Sequence, residues 1–171
     1  MVRHAPASVH DAVADVRAAI AARGAARVVL ANGCFDPLHV GHARYLTDAA
    51  THGDFLVVAV NDDAGTRRLK GADRPVVSGR DRAQLVGALD CVDAVLLFGD
   101  DNVERLLREL RPAVHAKGTD YTRETVPERE VARELGIETV IAGDAKTHAS
   151  RDIVARVRAL DRDGSPGPAC R

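Results

Sequence analysis

The sequence predicts a single α/β domain built on a doubly wound sheet of five parallel strands. Three observations predict it. Short apolar runs rich in β-branched residues alternate with helix-forming stretches along the whole chain. Those runs are apolar at consecutive rather than alternate positions, as strands covered on both faces must be. At 171 residues, 46% of them hydrophobic, the chain can bury one sizeable core, and no linker or low-complexity segment divides its interior.

The elements follow in order. Ser8 and Asp11 form an S-x-x-D box ahead of Val9, Val13, Val16 and Ile20, which share one helical face, and Gly24 closes the helix. Residues 1–26 are therefore expected to form an N-terminal helix, 27–160 the sheet domain, and 161–171, polar and rich in Gly and Pro, a flexible tail. Strands are expected at 27–31, 55–60, 94–98, 113–116 and 137–142. Ser78 and Asp81 repeat the capping box before Leu85 and Leu89, and Pro112 ends a helix around 103–110. Pro127 suits the first turn of a helix that stops at Gly136, and Ser150 is a natural N-cap before Ile153, Val154 and Val157. Strands joined by helices imply right-handed crossovers, with the first strand at the centre and ligands outside the carboxyl ends at the switch point.

Composition narrows the function. Apolar runs at 56–60 and 94–98 are too short to span a bilayer, and residues 1–8 hold no signal-like apolar segment. Cys34, Cys91 and Cys170 have no C-x-x-C spacing, so a cytoplasmic chain with reduced thiols is expected. A net charge of -1 and 3% aromatic residues argue against a nucleic-acid partner, which needs a basic field or stacking platforms. A small phosphorylated metabolite in a local cationic pocket fits better.

The chemistry concentrates in residues 32–42, Asn-Gly-Cys-Phe-Asp-Pro-Leu-His-Val-Gly-His, which run from the first strand of the predicted domain into a helix. Gly33 permits a sharp turn and Pro37 fixes the helix entry. His39 and His42 lie three apart, on one face of the first turn, where backbone N–H groups and the helix dipole already favour a phosphate, and Gly41 allows close approach. A zinc site needs a third ligand at an interpretable spacing, which His4, His10, His52, His115 and His148 do not offer. Lys117 ends a buried strand beside Gly118, where a cation needs solvent or an anion, and Arg151 after Ser150 can reach a phosphate. No Ser/His/Asp order or paired catalytic carboxylates are legible.

The HxGH element, His39-Val40-Gly41-His42 after a GCFDPLH turn, resembles the HxGH nucleotidyltransferase superfamily. Asn61-Asp62-Asp63, Arg68-Leu69-Lys70-Gly71, Arg74-Pro75-Val76, Arg82, Gly87-Ala88-Leu89 and Lys117-Gly118-Thr119-Asp120-Tyr121 resemble, in order, the adenylyltransferase module of ADP-heptose synthesis. Related glycerol-3-phosphate cytidylyltransferases share the framework. The resemblance implies a Rossmann-like fold and transfer of AMP from ATP to D-glycero-β-D-manno-heptose 1-phosphate, with Mg²⁺ carried mainly on the ATP phosphates. His39, His42 and Lys117 would be the catalytic donors. Gly33, Cys34, Phe35, Asp36, Gly41, Gly118, Asp120, Ser150 and Arg151 would complete the nucleotide site, and Asp63, Lys70 and Arg82 would hold the acceptor. Where family members often carry a Ser-Thr-Thr stretch this chain has Ala149-Ser150-Arg151, so an Arg contact would replace a hydroxyl. The resemblance further implies a homodimer; Mg²⁺ chemistry leads to an expectation of no protein ligand to the metal, and the length of the chain to one of a separate sugar kinase upstream. CTP with glycerol 3-phosphate, or a nucleotide sensor without turnover, are the alternatives.

Overall fold

The computed structural model describes residues 6–144 and 149–162. Its sheet has six parallel strands, β1 (Ser8–His10), β2 (Val28–Gly33), β3 (Phe55–Asn61), β4 (Ala94–Phe98), β5 (Val114–Gly118) and β6 (Glu138–Ala142), in the order β1-β4-β3-β2-β5-β6. The helices are α1 (Val13–Arg23), α2 (Val40–Ala50), α3 (Asp63–Lys70), α4 (Gly79–Gly87), α5 (Glu104–Leu110), α6 (Arg129–Glu134) and α7 (Ser150–Arg162).

The sixth strand corrects the sequence reading. Ser8–His10 does not open a helix; it pairs with Ala94, Val95 and Leu96 along the open side of β4. Ala7 N donates to Gly87 O at 2.8 Å, and a Cβ on Gly87 would lie 2.9 Å from Ala7 O, so a glycine is what lets the incoming strand lie this close to α4. The Ser8/Asp11 box therefore caps nothing: α1 begins at Val13 behind Ala12, which makes no side-chain cap bond. Within the expected N-terminal helix of residues 1–26, the described residues 6–26 are thus not a separate helix, because β1 and α1 join the sheet domain. At the other end α7 runs to Arg162, two residues into the expected tail, and the remainder of that tail lies outside the described residues.

Alternation along the strands fills two cores. Val29, Ala31, Leu56, Val58 and Val60 face one side, against Leu46 and Ala49 of α2 and Ala83 and Val86 of α4. Leu30, Phe55, Val57 and Ala59 face the other, against Val16 of α1, Leu106 and Leu107 of α5 and Val131 of α6. Helices of 7 and 6 residues such as α5 and α6 cannot stand alone in water. Burial of Leu106 and Leu107, about 1.5–3 kcal/mol each, outweighs their poor propagation. No helix among the described residues is long and apolar enough to cross a membrane.

As expected, the first long strand is central: β2 lies between β3 and β5. Its chain leaves toward β3, and a later crossover brings β5 to its other side. Ala31 of β2 is in register with Ala116 of β5, so residues 32–42 and Lys117-Gly118 emerge side by side at the switch point.

Candidate active site

The turn after β2 is set by its own residues. Phe35 adopts φ 51° and is buried, folding its ring back so that a Cβ on Gly33 would lie 3.2 Å from it. That ring meets the His42 imidazole edge-on, with 5.1 Å between centroids. His39 is the N-cap of α2, its Nδ1 accepting from Gly41 N at 3.1 Å. This bond places the proton of neutral His39 on Nε2, making the outer edge of the ring a donor. The two imidazoles stack at 3.8 Å. The sequence places them on one face; the stacking and the cap bond fix their orientation.

A cavity of about 770 Å³ opens over this turn. Every residue expected to bind nucleotide lines it, from Gly33, Cys34, Phe35 and Asp36 through His39, Gly41 and His42 to Lys117, Gly118, Asp120, Ser150 and Arg151. Ser150 opens α7 and its hydroxyl donates to Pro37 O at 3.2 Å, joining that helix to the turn. Asp36 lines the wall with its carboxylate already engaged: it accepts from Val76 N and Val77 N at 2.9 Å and pairs with Arg74 Nε at 3.1 Å. It is a brace of the turn.

Lys117 is buried, and sequence reasoning missed what makes that tolerable. Its Nζ lies 3.3 Å from Glu128 Oε2 and 3.4 Å from Asn32 Oδ1, and 4.7 Å above the Tyr121 ring. Glu128 is itself buried, so each charge compensates the other. The one local signal for Glu128 was its place just after Pro127, ahead of α6.

His115, fully buried on β5, donates from Nε2 to Asn32 Oδ1 at 3.3 Å, and its Nδ1 has no partner among the described residues. Burial first, and then the Lys117 charge, push its pKa down to about 4. Between about pH 6.5 and 4 the unfolded chain therefore takes up a proton that the folded chain refuses, and stability falls as pH falls through that window. His115→Gln is expected to flatten this slope in denaturant unfolding measured at pH 7, 6, 5 and 4. A slope unchanged by the substitution would assign the acid sensitivity elsewhere.

Of the residues expected to hold the acceptor, Lys70 lines the cavity, whereas Asp63 and Arg82 do not. Arg82 is a correction. Its side chain is fully buried, donating from Nε to Val77 O, from Nη1 to Cys34 O and Asn61 O, and from Nη2 to Asp63 Oδ1, over 2.6–2.9 Å. Asp63 Oδ1 also accepts from Gly79 N, at the start of α4. The pair ties three loops together beneath the site, because α4 packs on β3 and β4 and carries Arg82 inward.

Fold and site together define the class: an α/β domain of the nucleotidyltransferase fold. The chain belongs to the cytidylyltransferase-like family, whose model matches residues 30–158. It is 47% identical over 150 residues to the bifunctional protein HldE of Geotalea uraniireducens and 47% identical over 141 residues to that of Helicobacter pylori. Those matches cover 86% and 82% of this chain, which spans 30% of the length of either relative. Among solved structures it is similar to the lipopolysaccharide core biosynthesis protein from Thermoplasma volcanium, with a TM-score of 0.60, 26% identity, and coverage of 70% of this chain and 98% of that one. Pantothenate synthetase from Thermus thermophilus shares the fold, with a TM-score of 0.60 and 20% identity over 88% of this chain and 70% of that one.

Proposed function

We propose that the protein transfers AMP from ATP to D-glycero-β-D-manno-heptose 1-phosphate, giving ADP-heptose and pyrophosphate. The observation that carries this reading is the convergence of the stacked His39 and His42, the first turn of α2 and buried Lys117 on one cavity, in a chain 47% identical to HldE proteins. An oxygen of the acceptor phosphate attacks the α-phosphorus. A new P–O bond forms, the bond to the oxygen bridging to the β-phosphate breaks, and its electron pair leaves with pyrophosphate. The attacking oxygen is already anionic near pH 7, so no base has to remove a proton. The protein's task is to align two anions and to stabilise charge gathering on the triphosphate. His39 Nε2–H, His42 and Lys117 are the donors for that charge.

Mg²⁺ enters with ATP as part of the substrate, where it neutralises phosphate charge. In this reading phosphate oxygens and water coordinate it. The test is pyrophosphate release from five nucleoside triphosphates against several sugar and polyol phosphates. ATP with heptose 1-phosphate is expected to give the highest kcat/KM. Greater turnover of CTP with glycerol 3-phosphate would overturn the substrate assignment, and release with no pair would overturn the activity.

A further inference from the structure

The burial of Arg82 leaves the acceptor's phosphate without the guanidinium expected to hold it, and the loop before α4 supplies another. From residues 63–82 the cationic side chains that reach the cavity are Lys70 and Arg74. Lys70 is exposed on the last turn of α3, a point charge on a long unbranched stem. Arg74 has only 11% of its side chain exposed and is held on two sides by one residue: Nε pairs with the Asp36 carboxylate at 3.1 Å, and Nη2 donates to the Asp36 carbonyl. Its Nη1 is buried and has no hydrogen-bond partner among the described residues.

We propose that Arg74, oriented by Asp36, grips the phosphate of the acceptor, with Lys70 as a secondary contact. The proposal rests on the reading of the site as one that joins a nucleotide to a phosphorylated acceptor. Leaving a buried donor unmet is destabilising, and an arriving anion removes that cost. A guanidinium fixed in plane suits a phosphate, whose oxygens it meets with direction as well as charge. Asp36 is also what makes the placement useful. The same carboxylate takes Val76 N and Val77 N, so the turn leading to His39 and His42 and the loop carrying Arg74 move as one piece. The acceptor's phosphate is thereby kept in register with the nucleotide it attacks.

Arg74→Lys tests this. Lysine keeps the charge, and with it an ion pair to Asp36, but has no counterpart of the unmet Nη1. For the full chain, heptose 1-phosphate and ATP affinities are measured by calorimetry, KM and kcat by pyrophosphate release, and Tm by circular dichroism. The acceptor's Kd and KM are expected to rise about 10- to 100-fold, the scale of one charge-assisted contact, with ATP affinity within about twofold and Tm near that of the parent. Equal losses for ATP and acceptor would assign Arg74 to the nucleotide site, and unchanged acceptor constants would reduce it to a brace; either overturns the proposal. Should the parent protein bind heptose 1-phosphate without turnover, the activity fails, and loss of that binding in Arg74→Lys still supports the Arg74 contact. Should the parent bind neither heptose 1-phosphate nor glycerol 3-phosphate, the proposal falls with it.

Discussion

His42→Ala is expected to lower kcat by about 10²- to 10³-fold, the scale of losing one preorganised donor to developing charge, while circular dichroism and melting stay close to the parent. The His42 ring touches Phe35 and His39, so its removal trims packing at the rim of the core without opening the sheet. His39 needs a finer comparison, because the proposed reaction adds a second job to its cap bond. Its Nδ1 caps α2, worth about 1 kcal/mol in other helices, and its Nε2 carries the proton proposed to meet the triphosphate. His39→Ala removes both. His39→Asn restores a cap acceptor without the outer donor, so it is expected to recover melting temperature while kcat stays depressed by about 10²-fold or more. Parental turnover in His42→Ala, or recovery of turnover together with stability in His39→Asn, would remove these rings from the chemistry.

Arg82→Ala is expected to act on the fold. The substitution strands the backbone carbonyls of Val77 and Cys34, leaves that of Asn61 with only the Thr66 hydroxyl at 3.4 Å, and removes the buried half of an ion pair. At about 1–3 kcal/mol for each unmet buried acceptor, with a small addition from the half-exposed pair, the loss is about 3–5 kcal/mol. For a chain of this size that is a fall of roughly 6–20 °C in Tm. Asp63 keeps about half of its side-chain surface in water, which softens its own loss, so the stranded carbonyls dominate. Kinetics on the fraction that remains folded, taken well below the transition, should show an acceptor KM near that of the parent. A parental Tm with a raised acceptor KM would mean that Arg82 swings out to reach ligand, and the assignment of that role to Arg74 would then have to be shared.

The two arginines show where sequence reasoning stops. The turn from Asn32 to His42 was legible because everything it needs is contiguous: the glycine, the proline and the two imidazoles carry their own geometry. The strands between 55 and 118 were legible because each buries both faces and writes that as an apolar run. Arg82 and Arg74 differ instead in which way the chain around them faces, and α4 turns Arg82 inward through packing on β3 and β4 that no local pattern records. Glu128 reaches Lys117 across 11 residues, and Arg74 reaches Asp36 across 38, so both partnerships exist only once the crossovers have closed. The same non-local competition explains β1. Ser8 and Asp11 have the spacing of a helix start, but hydrogen bonds offered by β4 outbid a cap worth about 1 kcal/mol.

That three-residue strand has a consequence for how the protein behaves among copies of itself. Without it, β4 would be a terminal strand of five apolar residues, Ala94-Val95-Leu96-Leu97-Phe98, presenting unmet N–H and C=O groups as a template on which a foreign strand could assemble. β1 occupies that template along Ala94, Val95 and Leu96, and what it presents in turn is too short for another chain to extend. The segment that reads least like a strand thus shields one of the sheet's two sides from edge-to-edge assembly.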